Sequence, residues 1–498
     1  TPMERPSPFD IARFENEEYW NISSGMKQAN EEIKTQGKSS LEISGGGWQV
    51  LTSRTINLNE ISCEVSDIMK FDIANFDEDP DLWWVGYVTL SITCPSANMY
   101  NIFIGNVDLK TIGTNSFNTI DYTVPSDAMK VLTGDYDDLF ITFTFNTRAN
   151  SGPYYIDNLR FSPSWENVGK ENVSDSMSYN FSITASDNTV FVAYTEYTEN
   201  WKYEGSVKKL NGTIWETIGN PRFFSGNIGK NSLIVLSGIP YVVFQDNNNS
   251  NKISVMRFYK EKWEYVGKPG FSSEYAYNAS IASDGSNLYI TFADVDFNYA
   301  LQVMKYSGEQ WETVGTPGFS GKYCFDSNIK TFNGVPYIAF HSGENFFKAS
   351  VMKWNGTKWV HVGEKYIAGD DTHNISIEFS RSTAYVSFVD YSLSRSPTVK
   401  KFTGSSWEYV GESGIEEDHN YYYSLAIDQE IPYCMYSQSN YNYTLKLSKF
   451  VSGEWKTVGC PGFSPEYSLY PDLVIVDNIP YVAFTERTDY KLKVMRFK

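Results

Sequence analysis

Apolar and polar residues alternate along most of the chain, in short runs broken by Gly, Asn, Asp and Pro. Gly86-Tyr87-Val88-Thr89-Leu90-Ser91-Ile92 and Leu139-Phe140-Ile141-Thr142-Phe143-Thr144-Phe145 show the period of two that sends successive side chains to opposite faces of a strand. From residue 165 onward the runs fall into a repeat. Trp165, Trp215, Trp263, Trp311, Trp359, Trp407 and Trp455 are spaced by 50 and then, five times, by 48 residues, and each opens a Trp-x-x-Val/Ile-Gly segment. Several are followed by Pro-Gly-Phe-Ser. Within one period, residues 279–282, 288–293, 301–306 and 311–315 read as four strands, a to d, with Asp284-Gly285 and Ser307-Gly308 as turns.

Four strands per period of this length predict propeller blades. Residues 494–498 are a strand c with no tryptophan strand after them, and 165–169 a strand d with nothing before it, so the two ends complete one blade together. The expectation for residues 163–498 is a seven-bladed β-propeller closed by an N-terminal outer strand, which leaves only short, protected sheet edges. Residues 1–162 lack the repeat; their alternation and turns predict an antiparallel β-sandwich, with the boundary at Ser162-Pro163-Ser164. The fold class is all-β throughout.

A net charge of −19 and a pI near 4.8 argue against nucleic acid and against anionic membrane surfaces as partners. No segment has the length and apolarity of a membrane span or a signal peptide, and a start at Thr1 fits a processed or trimmed chain. There is no phosphate-binding Gly-rich loop, His-Glu-x-x-His, nucleophile elbow or Cys-x-x-Cys. Of the five cysteines, Cys63 and Cys94 can bridge within the sandwich or remain thiols, as can Cys324, Cys434 and Cys460.

Three segments carry a resemblance. Phe14-Glu15-Asn16-Glu17, Gly37-Lys38-Ser39-Ser40-Leu41-Glu42-Ile43 and Tyr154-Tyr155-Ile156-Asp157-Asn158-Leu159 resemble the jelly-roll carbohydrate-binding modules of secreted bacterial polysaccharide-degrading proteins. The resemblance implies a jelly roll over residues 1–162, a secreted or cell-surface location, and a structural calcium ion held by Glu15, Glu17, the Lys38 carbonyl and Asp157. Hard oxygen donors from both ends of a domain suit calcium; the other reading of these acids is that they are solvated turn residues. A sugar ring stacks its C–H face on an aromatic plane, so Trp48 and Trp84 are the candidate platforms. Trp83 and Trp84 are adjacent and face opposite ways in a strand, so at most one of them can line a groove.

In the repeat, the end of strand b carries Glu196, Asp246, Asp294, Ser342, Asp390, Gln438 and Glu486, and the start of strand a carries Asn180, Asn231, Asn278, Asp326, Asn374, Tyr422 and Tyr470. The d-to-a loops add Tyr275, Tyr277, Tyr323, Phe325, Tyr421, Tyr423 and Tyr467. Both loop sets lie on one face of a propeller, so these residues should surround one mouth of its channel. Two readings stand: a ligand-binding rim for a polyhydroxylated molecule, with Asn278, Tyr275, Tyr277, Tyr323, Tyr422 and Tyr470 as contacts, or turn caps that serve each blade. His341, His373 and His419 fall on the same face in consecutive blades, whereas His361 lies in a strand d. They would serve a polysaccharide lyase as proton acceptors, while Glu196, Asp246, Asp294, Asp390, Glu486 and Glu344 would serve a glycosidase. The expectation is a monomeric, lectin-like or adhesin-like protein that binds carbohydrate or polysaccharide, with a polysaccharide-degrading enzyme and a protein-docking propeller as alternatives.

Overall fold

In the computed structural model, the alternating runs of the first third form two antiparallel five-stranded sheets. The structure describes all residues except 1–13, 15–16, 35–38, 57–67, 77–84, 150, 163–164, 170–171, 199–201, 325, 417–421, 440–442, 460–462 and 466, and the side chains of Glu17, Ser162 and Asn345. The chain divides into two units, 1–164 and 165–497.

In the first unit one sheet runs Trp20–Ile22, Gly46–Ser53, Phe140–Ala149, Gly86–Cys94 and Met99–Asp108, and the other Met26–Asn30, Ser40–Ser44, Tyr154–Ser162, Ile68–Asn75 and Phe117–Thr123. One face of each sheet enters a shared core: Leu41, Ile43, Phe71, Ile73 and Ile156 from one, Leu51, Val88, Leu90, Phe143 and Phe145 from the other, all fully buried. Each such side chain contributes about 1.5–3 kcal/mol on leaving water. The sequence reading has no helix, whereas Ser126–Leu132 forms one just after Pro125 and buries Ala128, Val131 and Leu132. Seven residues are too few for its i, i+3, i+4 pattern to stand out from the strands around it.

The second unit is built of antiparallel meanders. Four separate sheets each take four consecutive strands, beginning with Ala276–Ser283, Ser327–Phe332, Thr372–Ser380 and Tyr423–Asp428. In another, Trp165–Asn167 pairs with Leu492–Phe497, so the two ends of the repeat share a sheet with Ile479–Glu486 and Ser468–Val476. The first strands of successive repeats touch in turn, from Asn180–Ser186 through Leu233–Leu236 and onward, and Ser468–Val476 returns to Asn180–Ser186. This closed, radial arrangement is that of a β-propeller. The repeats ending at Trp215 and Trp263 depart from the rule, being joined by Phe224–Asn227 into one nine-stranded sheet. That bridge depends on Gly205, where a Cβ would meet the Phe224 ring at 1.8 Å.

The tryptophan motif is a joint between repeats. The indole N–H of Trp311 donates to the Val266 carbonyl (2.8 Å), that of Trp359 to Val314 (2.9 Å), and that of Trp165 to Val458 (3.1 Å), which carries the series across the chain ends. The glycine after each Val or Ile has positive φ, +73° at Gly267 and +80° at Gly315, and lies against the next tryptophan. The Phe of Pro-Gly-Phe-Ser stacks on that same indole, as Phe271 does on Trp311 and Phe463 on Trp165. Its Ser accepts a backbone N–H of strand c, Ser272 from Ile253 and Ser320 from Leu301.

Candidate functional site

The strand register sets the outer face of the first sheet. Trp48 stands opposite Asn146, Asn146 opposite Tyr87, and Tyr87 opposite Asp108, so these four form one row across the strands. Trp48 is 65% exposed, Tyr87 38% and Phe103, on the edge strand of the same face, 57%. The two platforms Trp48 and Tyr87 are two strand spacings apart, roughly 10 Å, with the Asn146 amide between them. Beside the row, Thr89 donates to Asn106 at 3.2 Å. Flat apolar rings interleaved with amides and a carboxylate match the two faces of a sugar, its C–H patch and its hydroxyls. The sequence reading singled out Trp48 but not Tyr87 or Phe103. Period-two alternation already turned Tyr87 outward; its alignment with Trp48 depends on a pairing across Phe140–Ala149, which no local signal carries.

On the propeller the carboxylates at the end of strand b are turned inward. Asp246, Asp294 and Asp390 are buried, and each accepts the backbone N–H two residues on, capping the short helical turn that follows. Asp246 takes further donors from Asn249, Ser254 and Tyr265, and Asp294 from Ser273 and Gln302. Burial pushes the Asp294 carboxyl up. Glu196 accepts the Ser176 N–H and pairs with Arg222 at 3.3 Å; Glu486 pairs with Lys493. Glu344 lies within the corresponding turn, Gly343–Asn345, with an exposed side chain. The recurring residue at the start of strand a also has a backbone role. Asn231, Asn278, Asn374 and Tyr470 have φ from +49° to +56°, and the last three sit in register shifts of their strands. Asn is among the few side chains that tolerate this left-handed conformation.

Between these elements the mouth holds aromatic groups. Tyr275 and Tyr277 meet through their hydroxyls, and Tyr277, Tyr299 and Tyr323 form a ladder with ring centres 5.9 and 6.2 Å apart. The Tyr275 hydroxyl, with burial, pushes the Tyr277 phenol up to about 12. Tyr422 lies 4.8 Å from Tyr470, and Tyr467 beside Tyr443; Tyr423 is buried. Next to Tyr277 and Asn278 is a cavity of about 190 Å³ that also reaches Asn180, Asn227, Gln245 and Phe244. Lys230 extends from the same loop to the carbonyls of Tyr423 (2.7 Å) and Pro471 (3.1 Å), and burial holds its ammonium below the usual lysine range.

The histidines form a separate cluster. The buried His341 places Nε2 3.4 Å from Asp326 and Nδ1 2.6 Å from the Thr372 hydroxyl, which itself donates to the Phe347 carbonyl. Nδ1 therefore carries a proton. Burial alone would raise Asp326, but His341 and the Ile375 N–H outweigh it and hold the carboxyl below the ordinary range. His373 is half-exposed, 3.7 Å from Asp371, with its ring 6.2 Å from that of His341. Burial pushes it below the usual imidazole value. His361 contacts Ser350 inside its sheet.

His419, Trp84, Phe325, Tyr421, Glu15, Lys38, Cys63 and Cys460 lie outside the described residues, as does the side chain of Glu17. Asp157 is fully buried, and its carboxylate accepts the Asn158 N–H at 2.8 Å. Among the described residues no group of three or more His, Cys, Asp or Glu could hold a metal ion, and no helix is long and apolar enough to cross a membrane. Cys94 is a free thiol, 3.2 Å from Asp138, so the alternative of a Cys63–Cys94 bridge does not hold; Cys324 and Cys434 are buried free thiols.

No known family model and no curated protein matches the chain. Solved structures similar to it include the Hadza microbial sialidase Hz136, with 10% identity over 95% of this chain and 98% of that one at a TM-score of 0.40. The fucose-specific lectin from Aleuria aurantia has 12% identity over 58% and 97%, with a TM-score of 0.38. The β-propeller domain of the Trilobed protease from Pyrococcus furiosus has 11% identity over 64% and 95%, with a TM-score of 0.41. These likenesses are distant, and the site is defined by the chain's own topology and side chains.

Proposed function

We propose that this is a secreted or cell-surface bacterial glycan-binding protein, a jelly-roll carbohydrate-binding module followed by a seven-bladed propeller. The observation that carries the binding reading is the exposed row of Trp48, Asn146, Tyr87 and Asp108. The closed series of inner strands and the seven tryptophans support the blade count. Stacking on an aromatic platform is worth on the order of 1 kcal/mol beyond its buried area, so Trp48→Ala with Tyr87→Ala should weaken retention on the preferred polysaccharide about tenfold or more. Affinity electrophoresis of the full chain through gels containing plant, microbial and host polysaccharides measures this; unchanged mobility of the double variant would sink the reading.

Calcium belongs to the same proposal. Asp157 supplies a buried, hard oxygen donor from the last strand of the module, and such a carboxylate suits a cation that takes six to eight oxygens. Glu15, Glu17 and the Lys38 carbonyl would complete the set from the other end of the domain. Because an ion that binds only the folded state stabilises it, chelation should lower the unfolding temperature of the wild type and leave Asp157→Asn unmoved. Equal behaviour of the two proteins would remove calcium from the account.

The second reading, an enzyme acting on polysaccharide, rests on Asp326, His341 and the half-exposed His373. New reducing ends together with 235 nm absorbance would establish a lyase, reducing ends alone a hydrolase, and retention without products a binding protein.

A further inference from the structure

The cavity at the propeller mouth has a lining that narrows its occupant. Asn180 and Asn278 come from the starts of two inner strands, Asn227 and Gln245 from a paired position of the nine-stranded sheet, and Tyr277 supplies ring surface, with the buried Phe244 behind. None of these groups carries a charge at neutral pH. The charges adjoining the lining in sequence are committed elsewhere: Lys230 to two main-chain carbonyls, and Asp246, next to Gln245, to its cap and three side-chain donors. The Gln245 amide donates to the Ala276 carbonyl at 2.9 Å, which fixes its orientation. The Asn227 side-chain oxygen is enclosed and accepts no hydrogen bond among the described residues. A buried acceptor left so costs about 1–3 kcal/mol, a cost that a hydroxyl donated by a ligand would offset.

We propose that this cavity binds a single neutral, hydroxyl-rich ring, one monosaccharide unit, separately from the sheet face that carries Trp48. Its volume of about 190 Å³ is below the roughly 300–1,000 Å³ of sites for drug-sized ligands and limits the occupant to one small ring. Amides donate to and accept from hydroxyls at once, and the Tyr277 ring covers the apolar face of the sugar. An anionic sugar would find no cation among the lining residues to pair with and would lose its hydration. The proposal rests on the glycan-binding reading but concerns different residues, so the two can fail independently.

Saturation-transfer NMR and calorimetry on the full chain decide it, with glucose, galactose, mannose, fucose and N-acetylglucosamine set against galacturonic and N-acetylneuraminic acids. At least one neutral monosaccharide should bind, and the acids should not. Asn227→Leu, which removes the acceptor and fills the space, should weaken binding at least tenfold. Asn278→Gly removes an amide while accommodating the φ of +49°, and should do the same if the first variant folds poorly. Trp48→Ala should leave this affinity unchanged while reducing polysaccharide retention. The proposal is overturned if no neutral monosaccharide binds, if both cavity variants bind like the wild type, or if Trp48→Ala abolishes the signal.

Discussion

A single glycine shows what the repeat motif is for. A Cβ on Gly315 would meet Trp354 at 2.7 Å and Trp359 at 3.0 Å, with φ at +80°; Gly356 has a similar φ of +97° and open space around it. A left-handed backbone costs an L-residue about 1–2 kcal/mol, and this term is common to both sites. Gly315→Ala should therefore lower stability by clearly more than Gly356→Ala in urea unfolding; equal losses would mean that contact beneath the tryptophan contributes nothing. The sequence displays these glycines and tryptophans as a period. It does not display their purpose, because the Val266 carbonyl and the Trp311 indole that join belong to different repeats and are 45 residues apart.

At the scale of the element, the turn after strand b is where the two readings of the carboxylate ring can be told apart by experiment. Asp246, Asp294 and Asp390 hold buried caps, and replacing a capping Asp by Ala costs typically about 1 kcal/mol. Each Asp→Ala variant should unfold at lower temperature and keep full glycan retention, as read by scanning calorimetry and affinity electrophoresis; loss of retention with unchanged stability would restore a direct role in the site. Periodicity made these positions legible as equivalent, yet equivalence says nothing about whether a side chain points into the mouth or back into its own turn. The strands of the repeat were legible for the same reason that Phe224–Asn227 was not. Four residues outside the period reveal themselves only through their pairing with Glu204 and Gly205 on one side and Gln245 and Asp246 on the other. Asn227 and Gln245 were accordingly absent from the sequence-derived rim, although Tyr277 and Asn278 beside them were part of it.

Across the whole ring, the test is whether the chain ends form a joint like any other. Trp165 donates to Val458, stacks on Phe463 and packs on Phe497, the same three contacts that Trp311 makes with Val266, Phe271 and Tyr306. Truncating a buried Trp costs about 3–5 kcal/mol. Trp165→Ala and Trp311→Ala should be destabilised to a similar extent in denaturant, whereas an open array would make the terminal site much the cheaper. This closure has a consequence for biosynthesis. Among the described residues Trp165–Asn167 pairs only with Leu492–Phe497, so until that strand has been made the growing chain carries a short unpaired edge that other chains can join. The brevity of that strand limits the hazard, and synthesis of Leu492–Phe497 brings Trp165–Asn167 into the sheet.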